Sequence, residues 1–303
     1  MDKNTRIDFR DQISRNKTKS FFLMIIIFVV FMLLAYVISM AFAPGYFFTI
    51  MILAIIISMI YLLVSYYNAD KIAIASVNAK PASKTEYKDY YSLVEGITIA
   101  SGLPMPKLYI MPSNQINAFA SGRDPKHSVV CVTKGALEKL DRRELEGVLA
   151  HELGHIKNYD IRYMTLVSVM VGMIAIVSEI FLRSLWFSSG DRDSENKAQI
   201  IFIILGIVLA ILAPIVVTLV QLSISRKREY SADASAVKFT RYPQGLINAL
   251  KKIKSDYDHP TPNEIKEKKP SKAIAPIFFA NPFRNLGSTH PPIEERIKVL
   301  EKM

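Results

Sequence analysis

His151-Glu152-Leu153-Gly154-His155, an H-E-x-x-H pentapeptide, is the most informative stretch of this 303-residue chain. In a helix with 3.6 residues per turn, histidines four positions apart lie on one face and can bind the same metal ion. Glu152 lies between them, close to that metal without being a ligand. The arrangement is typical of a zinc site in which a carboxylate takes a proton from water.

The flanking residues predict that the pentapeptide lies in the middle of a helix. Asp141 and Glu144 have the spacing of a capping box, with Asp141 as the N-cap. The apolar residues that follow keep helical spacing through the motif: Leu145, Val148, Leu149 and Ile156. Two histidines bonded to nearby carbonyls are the alternative, and the helical context favours the metal site.

A third ligand is needed, because a catalytic zinc site uses three protein ligands and leaves a fourth position for water. The segment Arg-Glu-Tyr-Ser-Ala-Asp at residues 228–233 offers Glu229. Asp233 lies one helical turn further on the same face, where it can accept a hydrogen bond from a ligating imidazole. From these residues alone, an ordinary pair of acids on a helix surface remains an alternative.

The sequence resembles the HtpX group of membrane metalloproteases, relatives of the type I CAAX prenyl proteases. The resemblance rests on H-E-L-G-H-I-K-N-Y-D at residues 151–160 and R-E-Y-S-A-D at residues 228–233. It extends to M-P-K-L-Y-I-M at 105–111, N-A-F-A at 117–120 with Gly122 and Arg123, T-K-G at 133–135, and S-T-H-P-P at 288–292. It implies a zinc endopeptidase in which His151, His155 and Glu229 bind one Zn²⁺ and Glu152 is the general base.

The resemblance also implies roles for residues that contact the substrate. Asn117, Ala118, Phe119 and Ala120 would form an edge strand that holds an extended peptide by backbone hydrogen bonds. An ordinary edge strand without a ligand is the alternative. His290 would donate a hydrogen bond to the tetrahedral oxyanion. A histidine that caps the last helix is the alternative there.

Four apolar segments predict four membrane spans. Residues 21–43 and 46–68 carry no charge, and each can cross about 30 Å of hydrocarbon. Residues 163–182 contain one acid, Glu179, which is costly in lipid unless it pairs or reaches the interface; a buried core helix is the alternative. Residues 198–225 are uncharged and include Pro214, which a membrane helix tolerates as a kink.

Basic residues predict the orientation of these spans. Six of the first twenty residues are basic: Lys3, Arg6, Arg10, Arg15, Lys17 and Lys19. Lys157 and Arg162 precede the third span, and residues 226–228 (Arg-Lys-Arg) follow the fourth. We therefore expect a multi-pass protein of the cell membrane whose N-terminus, C-terminus and active site are cytoplasmic.

The net charge of +11 and the single cysteine agree with this location. Positive charge beside membrane spans attracts anionic lipid, and the chain lacks a nucleic-acid-binding motif, so we expect the lipid bilayer and not nucleic acid as a partner. Cys131 cannot form an internal disulfide, as expected for a reducing cytosol.

The predicted fold class is a multi-pass α-helical membrane protein with four spans and a cytoplasmic α+β, zincin-like metallopeptidase domain. A basic N-terminus and spans one and two occupy residues 1–68, and the peptidase domain with the zinc helix occupies 69–162. Spans three and four occupy 163–225. Residues 226–303 carry the third-ligand helix, a proline-rich loop at 258–292 and a C-terminal helix. A helix at 88–100, a strand at 107–111, and a hairpin of 117–120 with 128–133 are expected before the zinc helix.

The predicted function is a membrane-integral zinc endopeptidase that cleaves membrane proteins at the cytoplasmic face. The resemblance implies a role in membrane-protein quality control and the stress response, with misfolded membrane proteins as substrates. A CAAX-type prenyl protease is an alternative. A non-catalytic membrane scaffold stabilised by zinc is an alternative of another class. The sequence does not determine the oligomeric state.

Overall fold

A computed structural model describes residues 9–42, 44–167, 226–261, 277–280 and 291–303, with a few isolated residues between 179 and 208. Asn68–Thr165 and the described part of Leu222–Met303 belong to one compact unit. Ser20–Tyr67 belongs to a second unit.

The second unit contains the apolar parts of two long helices, and residues 9–19 at the start of the first helix belong to the first unit. Helix α1 spans Phe9–Phe42, and after a 3-10 turn at Pro44–Tyr46 helix α2 spans Phe47–Tyr67. Among the described residues, Ser20–Val37 and Phe47–Tyr67 are long and apolar enough to cross a membrane. Large apolar side chains are exposed on both, for example Phe22 at 58% and Phe48 at 79%. Contact with lipid accounts for such exposure better than contact with water.

The predicted third and fourth spans lie largely outside the described residues. Glu179 is described, and its Oε1 accepts a hydrogen bond from Arg183 Nη2 at 2.5 Å, one helical turn further along. This is a pairing of the kind that an acid in an apolar segment requires.

The first unit is an α+β structure with a four-stranded sheet. The elements that the structure describes in this unit are, in chain order, α3 (Ala69–Ser76), β1 (Lys80–Pro81), α4 (Lys88–Ser101), β2 (Lys107–Met111), β3 (Ala118–Asp124), β4 (His127–Thr133), α5 (Lys134–Lys139), α6 (Arg142–Lys157), α7 (Arg226–Thr240), α8 (Pro243–Asp258) and α9 (Ile293–Leu300). The strand order is β1-β2-β4-β3. Strand β2 runs parallel to β4, and the other two pairs are antiparallel.

The predicted hairpin is confirmed, but its first strand is longer than expected. Strand β3 continues through Gly122, where φ is +140° and the register with β4 shifts. Glycine permits this backbone conformation, so the strand bends there instead of ending. The turn follows at residues 125–126, where Asp124 Oδ1 accepts a hydrogen bond from the amide of His127.

Helix α6 carries the H-E-x-x-H pentapeptide, and its predicted capping box is confirmed. Asp141 Oδ1 accepts hydrogen bonds from the amides of Arg143 and Glu144, and Glu144 Oε2 accepts one from the amide of Asp141. The helix is buried over most of its length, packing against α4, α7, α8 and the sheet. The motif is therefore presented from the centre of the unit's hydrophobic core.

Candidate metal centre

Helices α6 and α7 bring the three predicted ligands together. The Nε2 atoms of His151 and His155 are 3.1 Å apart. Glu229 Oε2 lies 3.6 Å from His151 Nε2, and Glu229 Oε1 lies 3.5 Å from His155 Nε2. Ligand bonds of about 2.0–2.1 Å to one tetrahedral zinc ion place neighbouring ligand atoms roughly 3.3 Å apart. The three observed separations lie close to that value.

Asp233 and Arg296 fix the ring of His151. Asp233 Oδ1 lies 2.8 Å from His151 Nδ1, as the spacing on α7 predicts. Arg296, on the terminal helix α9, donates to the same carboxylate from Nη2 at 2.6 Å and from Nε at 2.9 Å. Its guanidinium lies over the ring of Phe279 at 4.7 Å. Burial raises the pKa of the Asp233 carboxyl, but Arg296 and His151 outweigh it, so the pKa lies below its ordinary value.

An aspartate, an arginine and an aromatic ring also surround His155, as they do His151. Asp160 Oδ2 lies 3.2 Å from His155 Nδ1, and Arg228 Nε lies 3.7 Å from Asp160 Oδ1. The Arg228 guanidinium lies over the ring of Tyr163 at 4.0 Å. Each imidazole therefore faces a buried aspartate that is backed by a buried arginine lying on an aromatic ring. Such partners fix the tautomer and ring orientation of metal-ligating histidines.

The sequence interpretation missed three of these residues. Asp160 ends the H-E-L-G-H-I-K-N-Y-D segment, five positions after His155, so proximity in the chain is a signal that could have found it. Arg228 directly precedes Glu229, but a basic residue beside a membrane span has a simpler explanation. Arg296 has no distinguishing signal in the sequence.

The donor set fits a divalent cation. Because a carboxylate only accepts hydrogen bonds, each Nδ1 donates a proton to its aspartate, and each Nε2 is the atom that can bind a metal ion once it has lost its own proton. The two Nε2 atoms and the Glu229 carboxylate thus converge in a buried space. Burial lowers the pKa of His155, but Asp160 and Glu229 together raise it to about 9, which indicates a site that favours positive charge.

Glu152 lies beside this cluster with one oxygen available. The backbone of Ala120 donates a hydrogen bond to its carboxylate. Its Oε1 is buried and has no hydrogen-bond partner among the residues that the structure describes. Burial raises the pKa of the Glu152 carboxyl, against the opposing effect of His151 and His155. A raised pKa suits a general base that must also return its proton.

Gly154 allows the two ligand helices to approach closely. A Cβ at this position would lie 3.0 Å from the Cβ of Ser235 and 3.1 Å from the carbonyl oxygen of Ala232, both on α7. These separations are tighter than ordinary van der Waals contact. Glycine here therefore keeps α7, and with it Glu229, close to the two histidines of α6.

The predicted substrate strand lies on the edge of the sheet beside the metal centre. Ala118, Phe119 and Ala120 lie in β3, and Asn117 directly precedes them. Thr133 Oγ1 accepts a hydrogen bond from the Asn117 amide, and the Asn117 side chain donates to the hydroxyl of Tyr257 at 2.7 Å. All four are buried. His290 lies outside the described residues.

Comparisons with known proteins agree with this geometry. The family model for Peptidase family M48 matches residues 84–303. A protein named "Protease HtpX homolog" from Thermoanaerobacter pseudethanolicus is 44% identical over 277 residues, covering 86% of this chain and 90% of that protein. Another of that name from Dictyoglomus thermophilum is 41% identical over 299 residues, covering 97% and 95%. The crystal structure of S. mikatae Ste24p matches with a TM-score of 0.50 and 19% identity, covering 96% of this chain and 66% of that one, which shows a shared fold.

Proposed function

Because this chain belongs to peptidase family M48 and is an HtpX-type membrane metalloprotease, we propose that His151, His155 and Glu229 bind the Zn²⁺ ion with which it hydrolyses peptide bonds. The observation that carries the proposal is the convergence of three buried ligand atoms within 4.8 Å of one another. His151 and Glu229 are 78 positions apart in the sequence. A chance pairing of surface acids does not produce a buried, three-sided donor set of this kind.

Glu152 has the position and the chemistry of the general base. Zinc, when bound, supplies a Lewis acid that polarises a carbonyl and makes water nucleophilic near neutral pH. The Glu152 carboxylate accepts a proton from the attacking water, as a bond forms between the water oxygen and the scissile carbonyl carbon. Glu152 then donates that proton to the leaving amine as the carbon–nitrogen bond breaks. His290 is proposed to donate a hydrogen bond to the oxyanion.

The proposed substrates are misfolded or damaged membrane proteins, cleaved at the cytoplasmic face in quality control. Support comes from chain connectivity, since His155 precedes the predicted third span by eight residues and Glu229 follows the fourth by four. At 1.5 Å per helical residue these lengths are at most roughly 12 Å and 6 Å. The basic residues beside the same span ends support a cytoplasmic location.

Proteolysis by the purified protein in detergent tests this function. We expect it to cleave casein and an unfolded membrane protein, to lose activity in a chelator and to regain it with zinc. The Glu152→Gln variant should retain zinc while its activity falls by about 10²–10⁴-fold. Wild-type turnover by that variant would refute the mechanism. Preferential cleavage of a prenylated peptide would favour the CAAX-type alternative.

Labelling with a membrane-impermeant maleimide in intact cells tests the orientation. A cysteine introduced at Gly45, between α1 and α2, should be labelled from outside. A cysteine introduced at Lys298, on α9, should be labelled only after the membrane is permeabilised. The reverse pattern would place the metal centre on the outer face.

A further inference from the structure

Residues 277–280 (Ile-Phe-Phe-Ala) pair with β3, the outermost strand at one edge of the sheet. Phe278 forms an antiparallel bridge with Phe119. The amide of Phe279 donates a hydrogen bond to the carbonyl oxygen of Ala118 at 2.8 Å. The segment thus adds a short strand to the edge that is predicted to hold substrate, and it uses the backbone groups that an extended peptide would use.

The side chain of Asn117 binds both backbone polar groups of the next residue in this segment. Its Nδ2 donates to the carbonyl oxygen of Ala280 at 2.8 Å, and its Oδ1 accepts from the amide of Ala280 at 3.2 Å. A primary amide that bonds the N–H and the C=O of one residue recognises main chain whatever the side chain is. The contact therefore has the form of a general peptide-binding interaction, here made within the protein.

The two aromatic side chains of the segment point to opposite sides of the added strand, as strand geometry requires. The ring of Phe279 lies 4.8 Å from that of His151 and packs on Arg296. The ring of Phe278 lies 5.3 Å from that of Phe119, on the other face of the sheet. Ile277, Phe278 and Phe279 are 3%, 1% and 2% exposed. The segment therefore runs directly past the metal centre and places a large apolar side chain against one of the ligand rings.

We propose that residues 277–280 are an internal pseudosubstrate, which an extended peptide with a large apolar side chain in the position of Phe279 displaces. The inference rests on the proposed function and names the peptide's binding mode and its preferred side chain. Two strands cannot use the same edge of β3 at once, so substrate binding requires the segment to leave. Pro276 and Pro282 flank the segment in sequence, and because proline has no amide hydrogen, neither residue can donate a backbone hydrogen bond to β3. A short strand is one that a longer peptide can replace.

Disulfide cross-linking of the segment to β3 tests the proposal. The variant Phe119→Cys/Phe278→Cys is made in a Cys131→Ala background, because Cys131 is the cross-strand neighbour of Phe119. The variant also carries Glu152→Gln, so that it binds a peptide without cleaving it. Binding of a fluorescein-labelled extended peptide that contains phenylalanine is then measured by fluorescence anisotropy. We expect the oxidised protein to bind at least tenfold more weakly than the same protein after reduction. Casein cleavage by the cross-linked variant that keeps Glu152 should fall on oxidation and recover on reduction.

A cross-link at the opposite edge of the sheet is the matched control. Lys80 and Ile110 are antiparallel partners in β1 and β2, and Lys80→Cys/Ile110→Cys locks that edge instead. Its oxidation should leave peptide binding unchanged. Equal peptide affinity for the oxidised and reduced Phe119→Cys/Phe278→Cys protein would overturn the proposal that residues 277–280 are a pseudosubstrate. The proposed function fails separately, if the wild-type protein shows no proteolysis that a chelator abolishes.

The Phe279→Ala variant gives an independent measurement. Removing the ring weakens the internal segment without changing the backbone groups of β3, so the labelled peptide should bind at least threefold more tightly than to wild type. A segment with only a structural role predicts unchanged or weaker binding in the folded variant, and that result would also overturn the proposal.

Discussion

The Arg296 guanidinium forms two hydrogen bonds with the Asp233 carboxylate, and both side chains are completely buried. Arg296 lies on the last helix of the chain, whereas Asp233 lies on the helix that carries Glu229 and bonds to His151. Burial opposes the charge of Arg296, yet the charges of Asp233 and Glu229 raise the pKa of its guanidinium. The C-terminal helix therefore helps to hold the carboxylate that bonds to His151 in the candidate metal centre.

The Arg296→Ala substitution should destabilise the protein by about 3–5 kcal/mol, because it leaves the Asp233 carboxylate buried without its charged partner. Zinc content should fall as well, since His151 loses its fixed orientation. Arg296→Lys should be intermediate, because lysine keeps the charge but cannot form the two-pronged contact. Denaturant unfolding followed by circular dichroism, together with metal analysis, measures both effects.

Lys298→Ala is the control for this prediction, since Lys298 is an exposed basic residue on the same helix. It should change stability by less than about 0.5 kcal/mol. An equal effect of the two substitutions would contradict a specific role for Arg296.

Local signals were sufficient to predict the zinc helix and the hairpin. The capping box at Asp141 and Glu144 and the helical spacing of apolar residues are properties of neighbouring residues, so the sequence carries them directly. The approach of Glu229 to the two histidines followed from the family resemblance, because a single E-x-x-x-D pair on a helix is common. The limits of the first strand were wrong by several residues, since Gly122 bends a strand that its neighbours continue.

Long-range contacts were not predictable from the same signals. Arg296 lies in an amphipathic helix, where an arginine is usually solvated, and only the packing of α9 against α7 and α8 buries it. The pairing of residues 277–280 with β3 joins segments about 160 positions apart, as between Phe119 and Phe278. Four residues between prolines have too little length to show strand periodicity. Both features depend on tertiary structure that no local pattern encodes.

Asp160 should be as important for the metal as Asp233. The Asp160→Asn substitution removes the charge that fixes the Nδ1 proton of His155, so zinc affinity should fall by about 10–100-fold. Competition with a chromophoric chelator measures the affinity without relying on activity. Asp89→Asn is the control, because the Asp89 side chain is 89% exposed. Wild-type zinc affinity in Asp160→Asn would show that the hydrogen bond to His155 does not support the ligand.

Cys131 should be unreactive in the folded protein. The side chain is buried in β4, and burial raises the pKa of its thiol, so the thiolate that reacts with alkylating agents is not formed at neutral pH. Mass spectrometry should detect no iodoacetamide adduct until the peptidase unit unfolds in denaturant. Rapid modification under native conditions would mean that β4 opens to solvent far more often than its packing indicates.

Gly154 and Gly96 provide a matched pair for testing helix contact at the metal centre. Gly154→Ala places a methyl group against Ala232 and Ser235 on α7, so α7 must move away and Glu229 must move with it. Overpacking of this kind costs about 1–3 kcal/mol, and zinc affinity should fall together with stability.

Gly96→Ala makes the same chemical change on the exposed side of α4, where a Cβ meets nothing within 4 Å. Alanine is the better helix former by about 0.5–1 kcal/mol, so this control should be neutral or stabilising and should leave zinc affinity unchanged. Thermal unfolding measures the stability of the two variants, and chelator competition measures their zinc affinity. A Gly154→Ala protein with wild-type stability and wild-type zinc affinity would show that the close approach of α6 and α7 is not required for metal binding.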